Sequence, residues 1–171
     1  MNDYTICNEI YRKIYKTGSL LDVGCGEGYL VNCLARKLNR KVVGFDISDS
    51  GFTKSHKWCK KFDTCDLIEC IKGDAHRIDE CFNEKSFDAV TLIYTLHHID
   101  RPTTALRKIR RLLGDHGKII VLDYWFTERK RKSSCYKFTP NDVKNMLVRA
   151  GYKYLGADRV GKNSVLMVGE K

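Results

Sequence analysis

Long apolar runs are missing from this chain. None approaches the roughly 18 to 20 residues that a bilayer span requires, and the opening "MNDYTICNEIYRK" lacks the uninterrupted apolar core of a signal peptide. Both absences point to a cytoplasmic chain with no membrane partner. No two cysteines are spaced CxxC, and the eight that occur fall on apparent core elements, without the dense, loop-rich pattern of a secreted disulfide scaffold. Reduced thiols are therefore expected. The gaps between Cys59, Cys65, Cys70 and Cys81 fit no usual zinc ribbon, so no metal is expected either. Internal repeats are also absent, and 171 residues suffice for one domain with a sizeable core but hardly for two.

Hydrophobic residues make up 43% and charged residues 30%, as in a soluble globular protein. Lys and Arg number 31 against 21 Asp and Glu, a net charge of +10 that attracts phosphates without any sequence readout. Yet Arg107, Lys108, Arg110 and Arg111 are interleaved with apolar positions at helical spacing, as on a solvated helix face. One charge run stands apart, "TERKRKSS" from Thr127 to Ser134, in a loop after a strand's carboxyl end.

Strand and helix patterns alternate along the chain. Ile6, Ile10 and Ile14 recur at helical spacing before the strand "LLDV". After a glycine turn, Leu30, Leu34 and Leu38 stripe a second helix, and "KVVGFD" is a short strand ending in an acid. A helix from about Ser50 to Lys61, the strand "DLIECIKGD" and the strongly apolar strand "FDAVTLIYTL" follow. Pro102 opens a helix striped by Ala105, Ile109, Leu112 and Leu113, which "GDHG" is expected to end before the strand "KIIVLDYWF". Thr139, Pro140 and Asp142 read as the N-cap, first position and capping partner of a last helix that closes at Gly151. The runs "YKYLGADRV" and "NSVLMVGEK" then pair across "GKN" as an antiparallel edge. Such alternation means a largely parallel sheet covered on both faces.

In such sheets ligands bind beyond the carboxyl ends of the strands, where the first strand-turn-helix aims backbone N–H groups at them. Here that turn is "LLDVGCGEGYL". A dinucleotide fingerprint would need glycine at position 29, which is Tyr29; the third glycine is Gly28. The spacing Gly24, Gly26, Gly28 lets the backbone lie close to a ligand without a pyrophosphate. Asp46 ends the second strand 22 residues after Gly24, where a carboxylate can take both hydroxyl protons of a ribose. "GDA", Gly73 to Ala75, ends the third strand with a carboxylate and a backbone N–H suited to an adenine edge.

Taken together, "LLDVGCGEGYL", "VVGFD", "KGDAHRI", "FDAVTLIYTLHHI" and "LGDHGKIIVLDYW" resemble, in order and spacing, the motifs of class I S-adenosylmethionine-dependent methyltransferases, over about Ser19 to Tyr124. The branch they resemble is the small-molecule type known as methyltransferase type 11. The resemblance implies a Rossmann-like, doubly wound, mostly parallel seven-stranded sheet with an antiparallel C-terminal edge hairpin. It implies one domain over 1–171: an N-terminal helix (1–17), a cofactor-binding core (19–124), a basic loop (125–138), and a C-terminal helix and hairpin (139–171). It also implies S-adenosyl-L-methionine as cofactor and S-adenosyl-L-homocysteine as product. Asp22, Gly24, Cys25, Gly26 and Gly28 would hold the methionine part, Asp46 the ribose, Ile47 an adenine face, Asp74 and Ala75 the adenine edge, and Tyr94 would lie beside the sulfonium. "GDHG" departs from the family's Pro-Gly-Gly turn at a place remote from that pocket.

Methyl transfer from a sulfonium is an in-line displacement on an activated carbon, so alignment is the main demand and a base is optional. His97 and His98 after the fourth strand and Asp123 with Tyr124 at the end of the fifth are expected to face the acceptor, and His97, His98 and Asp123 together with Tyr94 are the expected catalytic set. Cys25 is expected to contribute backbone and a small side chain, not a nucleophile. The Asn/Asp-Pro-Pro-Tyr pattern of base-amine methylation is replaced by "IYTLHH", and neither proline, Pro102 or Pro140, adjoins the cysteine that cytosine C5 chemistry needs. A small-molecule acceptor is the expectation. The alternatives are RNA or protein methylation through "RKRK" with Tyr124, Trp125, Phe126 and Tyr136, or a non-catalytic cofactor-binding partner subunit.

Overall fold

The computed structural model describes residues 2–126, 130–132 and 135–171, with the backbone alone for 130–132. The elements are α1 (Asp3–Ile14), β1 (Leu20–Val23), α2 (Tyr29–Leu38), β2 (Val42–Asp46), α3 (Phe52–Phe62), β3 (Ile68–Lys72), α4 (Ile78–Cys81), β4 (Phe87–Ile93), α5 (Pro102–Leu112), β5 (Leu113–Tyr124), β6 (Lys130–Lys132), β7 (Cys135–Lys137), α6 (Pro140–Arg149), β8 (Lys153–Val160) and β9 (Ser164–Glu170). Seven strands make one sheet in the order β3-β2-β1-β4-β5-β9-β8. The first five run parallel, and β9 and β8 continue antiparallel from β5. The chain winds outward from β1 to β3 and then outward again from β4, so the strand order reverses between β1 and β4. That switch point opens a crevice at the carboxyl ends of the strands.

The strands are apolar on both faces because both faces are covered. With a side-chain period of two, Leu21, Val43, Val90, Ile119 and Val121 pack on one side with Leu106, Ile109 and Leu112 of α5 and Val143 and Leu147 of α6. Their neighbours Leu20, Val42, Ala89, Ile120 and Leu122 pack on the other side, with Ile6, Ile10 and Ile14 of α1 and Val31 and Leu34 of α2. Among the described residues, no helix is long and apolar enough to cross a membrane.

Three local expectations are corrected. First, "GDHG" does not end α5. The helix stops at Leu112, Leu113 is already extended and pairs with Phe87, and residues 114–117 form a bulge before pairing resumes at Ala89 and Lys118. His116, at φ +64°, takes the left-handed conformation that the bulge requires. Second, four of the thiols expected to be reduced are joined in disulfides, Cys7–Cys33 and Cys59–Cys65. Cys7 and Cys33 lie on the buried, facing sides of α1 and α2, whose packing brings their Cα atoms to 6.4 Å, within disulfide reach. Third, the segment read as a plain loop contains a short antiparallel ladder, Lys130–Lys132 with Cys135–Lys137. Residues 127–129, 133 and 134 lie outside the described residues, and so do the side chains of the basic run at Arg129 to Lys132.

The last helix starts as its sequence predicts. Thr139 Oγ1 accepts the Asp142 N–H at 3.1 Å, and the Asp142 carboxylate accepts the Thr139 N–H at 2.9 Å, a complete capping box with Pro140 in the first turn. Thr139→Ala removes the hydroxyl half of this exchange, and urea unfolding should show a loss of about 1 kcal/mol with an unchanged slope.

Candidate active site

At the switch point the glycine turn is shaped by three left-handed residues: Gly24, Gly26 and Gly28 have φ of +78°, +51° and +73°. The reasons for glycine differ at two of them. A Cβ on Gly24 would collide with the Thr95 side chain, whereas one on Gly26 would meet nothing within 4 Å. The first position is closed by packing, the second stands exposed. Asp46, at the end of β2, holds the turn: its carboxylate accepts the Gly26 N–H at 2.8 Å and the Ser48 N–H at 3.0 Å. The Gly24 amide donates to the Phe45 carbonyl at 2.7 Å.

These strand ends line a cavity of about 460 Å³. Gly24, Asp46, the 70%-exposed Ile47, Asp74, Ala75, Tyr94 and His98 all contribute to its wall. Asp22, Cys25 and Gly28 line an adjoining recess of about 250 Å³, which also reaches Tyr94. Asp74 has a second task as the cap of the turn at Ala75–Arg77, since its Oδ1 accepts the His76 N–H at 2.8 Å. Asp22 is buried, and its Oδ1 accepts the Thr91 hydroxyl at 2.6 Å. Burial raises its pKa to about 7, against the weaker opposing effect of that hydrogen bond. The Cys25 thiol, hydrogen-bonded to Cys70 and buried, is pushed up far enough to stay protonated, which suits a packing role.

The four residues of the expected catalytic set divide into two kinds. Tyr94 and His98 line the cavity, whereas His97 and Asp123 are buried and do not face it as expected. His97 Nδ1 lies 2.7 Å from Asp123 Oδ1, which also accepts the Tyr124 N–H at 2.8 Å. A carboxylate oxygen that takes a backbone N–H is acting as an acceptor, so His97 donates to it from Nδ1 and carries Nε2 on the other side of the ring. Burial, and next the neighbouring His97, hold His98 below its ordinary pKa, which makes it a neutral imidazole at pH 7. Tyr94, at φ +52°, hydrogen-bonds Ser164 Oγ at 2.9 Å, and its ring lies 4.8 Å from that of Tyr124.

Sequence reasoning missed Thr95, whose side chain packs where a Gly24 Cβ would stand, and Ser164, the partner of the Tyr94 hydroxyl. Neither carries a sequence signal, because each acts through a contact about 70 residues away.

An α/β sheet with a glycine turn and strand-end carboxylates around one switch-point crevice defines a nucleoside-binding fold of the class I methyltransferase kind. The chain belongs to the methyltransferase domain family, whose profile matches residues 21–121. A 2-phytyl-1,4-naphtoquinone methyltransferase of Synechococcus elongatus is 32% identical over 106 residues, 61% of this chain and 45% of that protein. The chain spans less than half the length of the curated relatives it matches. A SAM-dependent methyltransferase from Aquifex aeolicus superimposes with a TM-score of 0.81 at 17% identity, over 96% of this chain and 88% of that one. The [4+2]-cyclase SpnF superimposes with a TM-score of 0.88 at 16% identity, over 98% and 81%. Likeness at this level is one of fold.

The residues present fit S-adenosylmethionine, the family's cofactor. Gly26 leaves open space where a side chain would intrude, acids stand at the ends of β1 and β2, and Ile47 offers an apolar face on the cavity wall.

The raised pKa of Asp22 has a stability consequence. The stabilisation by its protonated form is full below the unfolded-state value near 3.8 and is lost as pH rises through about 7. Asp22→Asn, which stays neutral, should therefore gain on the wild type by ~1–3 kcal/mol between pH 5 and pH 8 in denaturant unfolding. A difference independent of pH would mean that Asp22 is ionised throughout.

Proposed function

We propose that this chain transfers a methyl group from S-adenosyl-L-methionine to a small-molecule acceptor by in-line displacement. The observation that carries the reading is the glycine turn at the head of β1, clamped to the Asp46 carboxylate and opening onto the 460 Å³ cavity. When bound, the cofactor supplies an activated methyl carbon on a sulfonium. The chain's own residues bind, orient and shield. Gly24, Cys25, Gly26 and Gly28 shape the floor with Asp22 as counter-charge, Asp46 takes the ribose hydroxyls, Ile47 covers the adenine, and Asp74 and Ala75 read its edge. Asp74 keeps Oδ2 for this task, since the reported cap uses Oδ1.

Tyr94 stands between cofactor and acceptor as part of both sets. His98 meets the acceptor as a neutral hydrogen-bonding group, and the buried His97, held by Asp123, stands behind it as a positioning residue. A small-molecule acceptor is supported by the size of the cavity, about 460 Å³, and by the likeness to a 2-phytyl-1,4-naphtoquinone methyltransferase. The reading treats residues 1–171 as one domain and the chain as cytoplasmic.

Two measurements test it. Asp46→Ala should weaken cofactor binding by roughly 1–3 kcal/mol in calorimetry, because hydrogen bonds to a charge are lost and the Gly26 amide is released. Unchanged affinity removes Asp46 from the site. The second incubates the chain with methyl-labelled cofactor and cell extract separated into small-molecule, RNA and protein fractions. Label is expected among small molecules. Label in RNA or protein would move the acceptor to the basic segment, and none despite cofactor binding would require a partner subunit.

A further inference from the structure

The turn Leu96–His98 sets two imidazoles side by side, with ring centroids 4.1 Å apart. Cys135, on β7, brings its Sγ to 3.4 Å from His98 Nδ1. One ligand atom from each of His97, His98 and Cys135 lies within 4.8 Å of the other two. In tetrahedral zinc sites, with bonds of about 2.1 Å to nitrogen and 2.3 Å to sulfur, a nitrogen and a sulfur stand about 3.6 Å apart. The His98–Cys135 spacing already matches, and the widest pair needs a closure of about 1 Å to match as well.

The surroundings of His97 point the same way. Its Nδ1 is held by Asp123, which leaves Nε2 as the nitrogen available to a metal, and a carboxylate behind an imidazole is the support that metal-ligating histidines have. Among the described residues, Asp123 Oδ2 is buried without a hydrogen-bond partner. A buried carboxylate oxygen without a hydrogen-bond partner is costly, and a cation on the far side of the imidazole would offset that cost.

We propose that His97, His98 and Cys135 bind one borderline-soft divalent cation, zinc foremost, as a two-nitrogen, one-sulfur site with a fourth position left for water or an acceptor atom. Nitrogen and thiolate ligands select zinc over magnesium or calcium, which take oxygen. Such an ion would join β7 to the cavity wall beside His98. The site stands on these side chains alone and does not depend on methyl transfer.

The test uses the full chain, stripped with a chelator and exchanged into thiol-free buffer, then titrated with Co2+ and afterwards Zn2+. One equivalent of Co2+ should give the thiolate-to-cobalt charge-transfer absorption and the visible bands of a tetrahedral ion, and one equivalent of Zn2+ should abolish both. Cys135→Ser should remove the charge-transfer band and weaken Zn2+ binding at least tenfold. Asp123→Asn should keep the band and weaken binding roughly 10- to 100-fold. Cys81→Ser, outside the cluster, should change neither. His98→Gln, at an exposed position, is the second ligand variant should Cys135→Ser not fold, and must weaken binding with far-UV circular dichroism unchanged. No saturable uptake by the wild-type chain, or a charge-transfer band that survives Cys135→Ser, overturns the proposal. Cofactor calorimetry on the metal-free chain reads the methyltransferase proposal separately.

Discussion

The Gly26 amide donates to the Asp46 carboxylate at 2.8 Å, and the geometry of the crevice follows from that bond. A turn with three left-handed residues has no helical or sheet partner for its central amides, so an acceptor has to come from elsewhere. The end of β2 supplies it twice, as the Phe45 carbonyl for Gly24 and the Asp46 side chain for Gly26. The end of β4 supplies the packing, because Thr95 lies where Gly24 has no side chain. Three strand ends are thereby fixed relative to one another before any ligand arrives. Preorganisation of this kind lowers what binding must spend on ordering the loop.

The charge of the molecule and the charge of its cleft have opposite signs. A net +10 suggests an anionic partner, yet among the described residues the 460 Å³ cavity is walled by Asp46, Asp74 and Asp100 and by no Lys or Arg. The lysines nearest the cofactor-side rim are paired outward, Lys54 with Glu27 and Lys72 with Asp49, in exposed ion pairs worth little to stability. Because field strength inside a recess depends on the groups that line it, the cleft favours a ligand carrying positive charge whatever the outer surface favours. A sulfonium nucleoside with an ammonium group has that character. Asp22 is the sharpest instance: burial leaves it only about half ionised at pH 7, and a cation beside it would draw it back to the charged form.

Features that rest on local pattern were legible in the sequence. The alternation of strands and helices, the glycine spacing, the acids closing β2 and β3 and the Thr139–Asp142 capping box each occupy a few adjacent residues whose spacing carries the physics. What escaped depends on distant residues meeting. Cys7 finds Cys33 only because α1 packs on α2, and nothing in the local pattern around Asp123 shows that it will pair with His97, 26 residues earlier. "GDHG" misled for a different reason. Glycine and aspartate signal a helix end and a strand bulge alike, and here the chain enters the sheet at Leu113 before they occur.

The two sides of the crevice come from different parts of the fold. The cofactor side is built from the ends of β1, β2 and β3, local turns that close on themselves. The facing side is borrowed: Tyr94 follows β4, its hydroxyl is anchored to Ser164 on β9, and its ring leans on Tyr124 of β5, which in turn neighbours His97 at 5.4 Å and Phe126 at 6.0 Å. Tyr94 borders the main cavity, the methionine-side recess and a third groove of about 880 Å³ running to the β8–β9 turn. A non-glycine residue at φ +52° carries backbone strain, and the Ser164 bond and Tyr124 ring are what hold it there. The antiparallel edge therefore does more than finish the sheet. By fixing Tyr94, which borders all three recesses, the C-terminal hairpin, remote from the glycine turn in sequence, takes part in shaping the crevice.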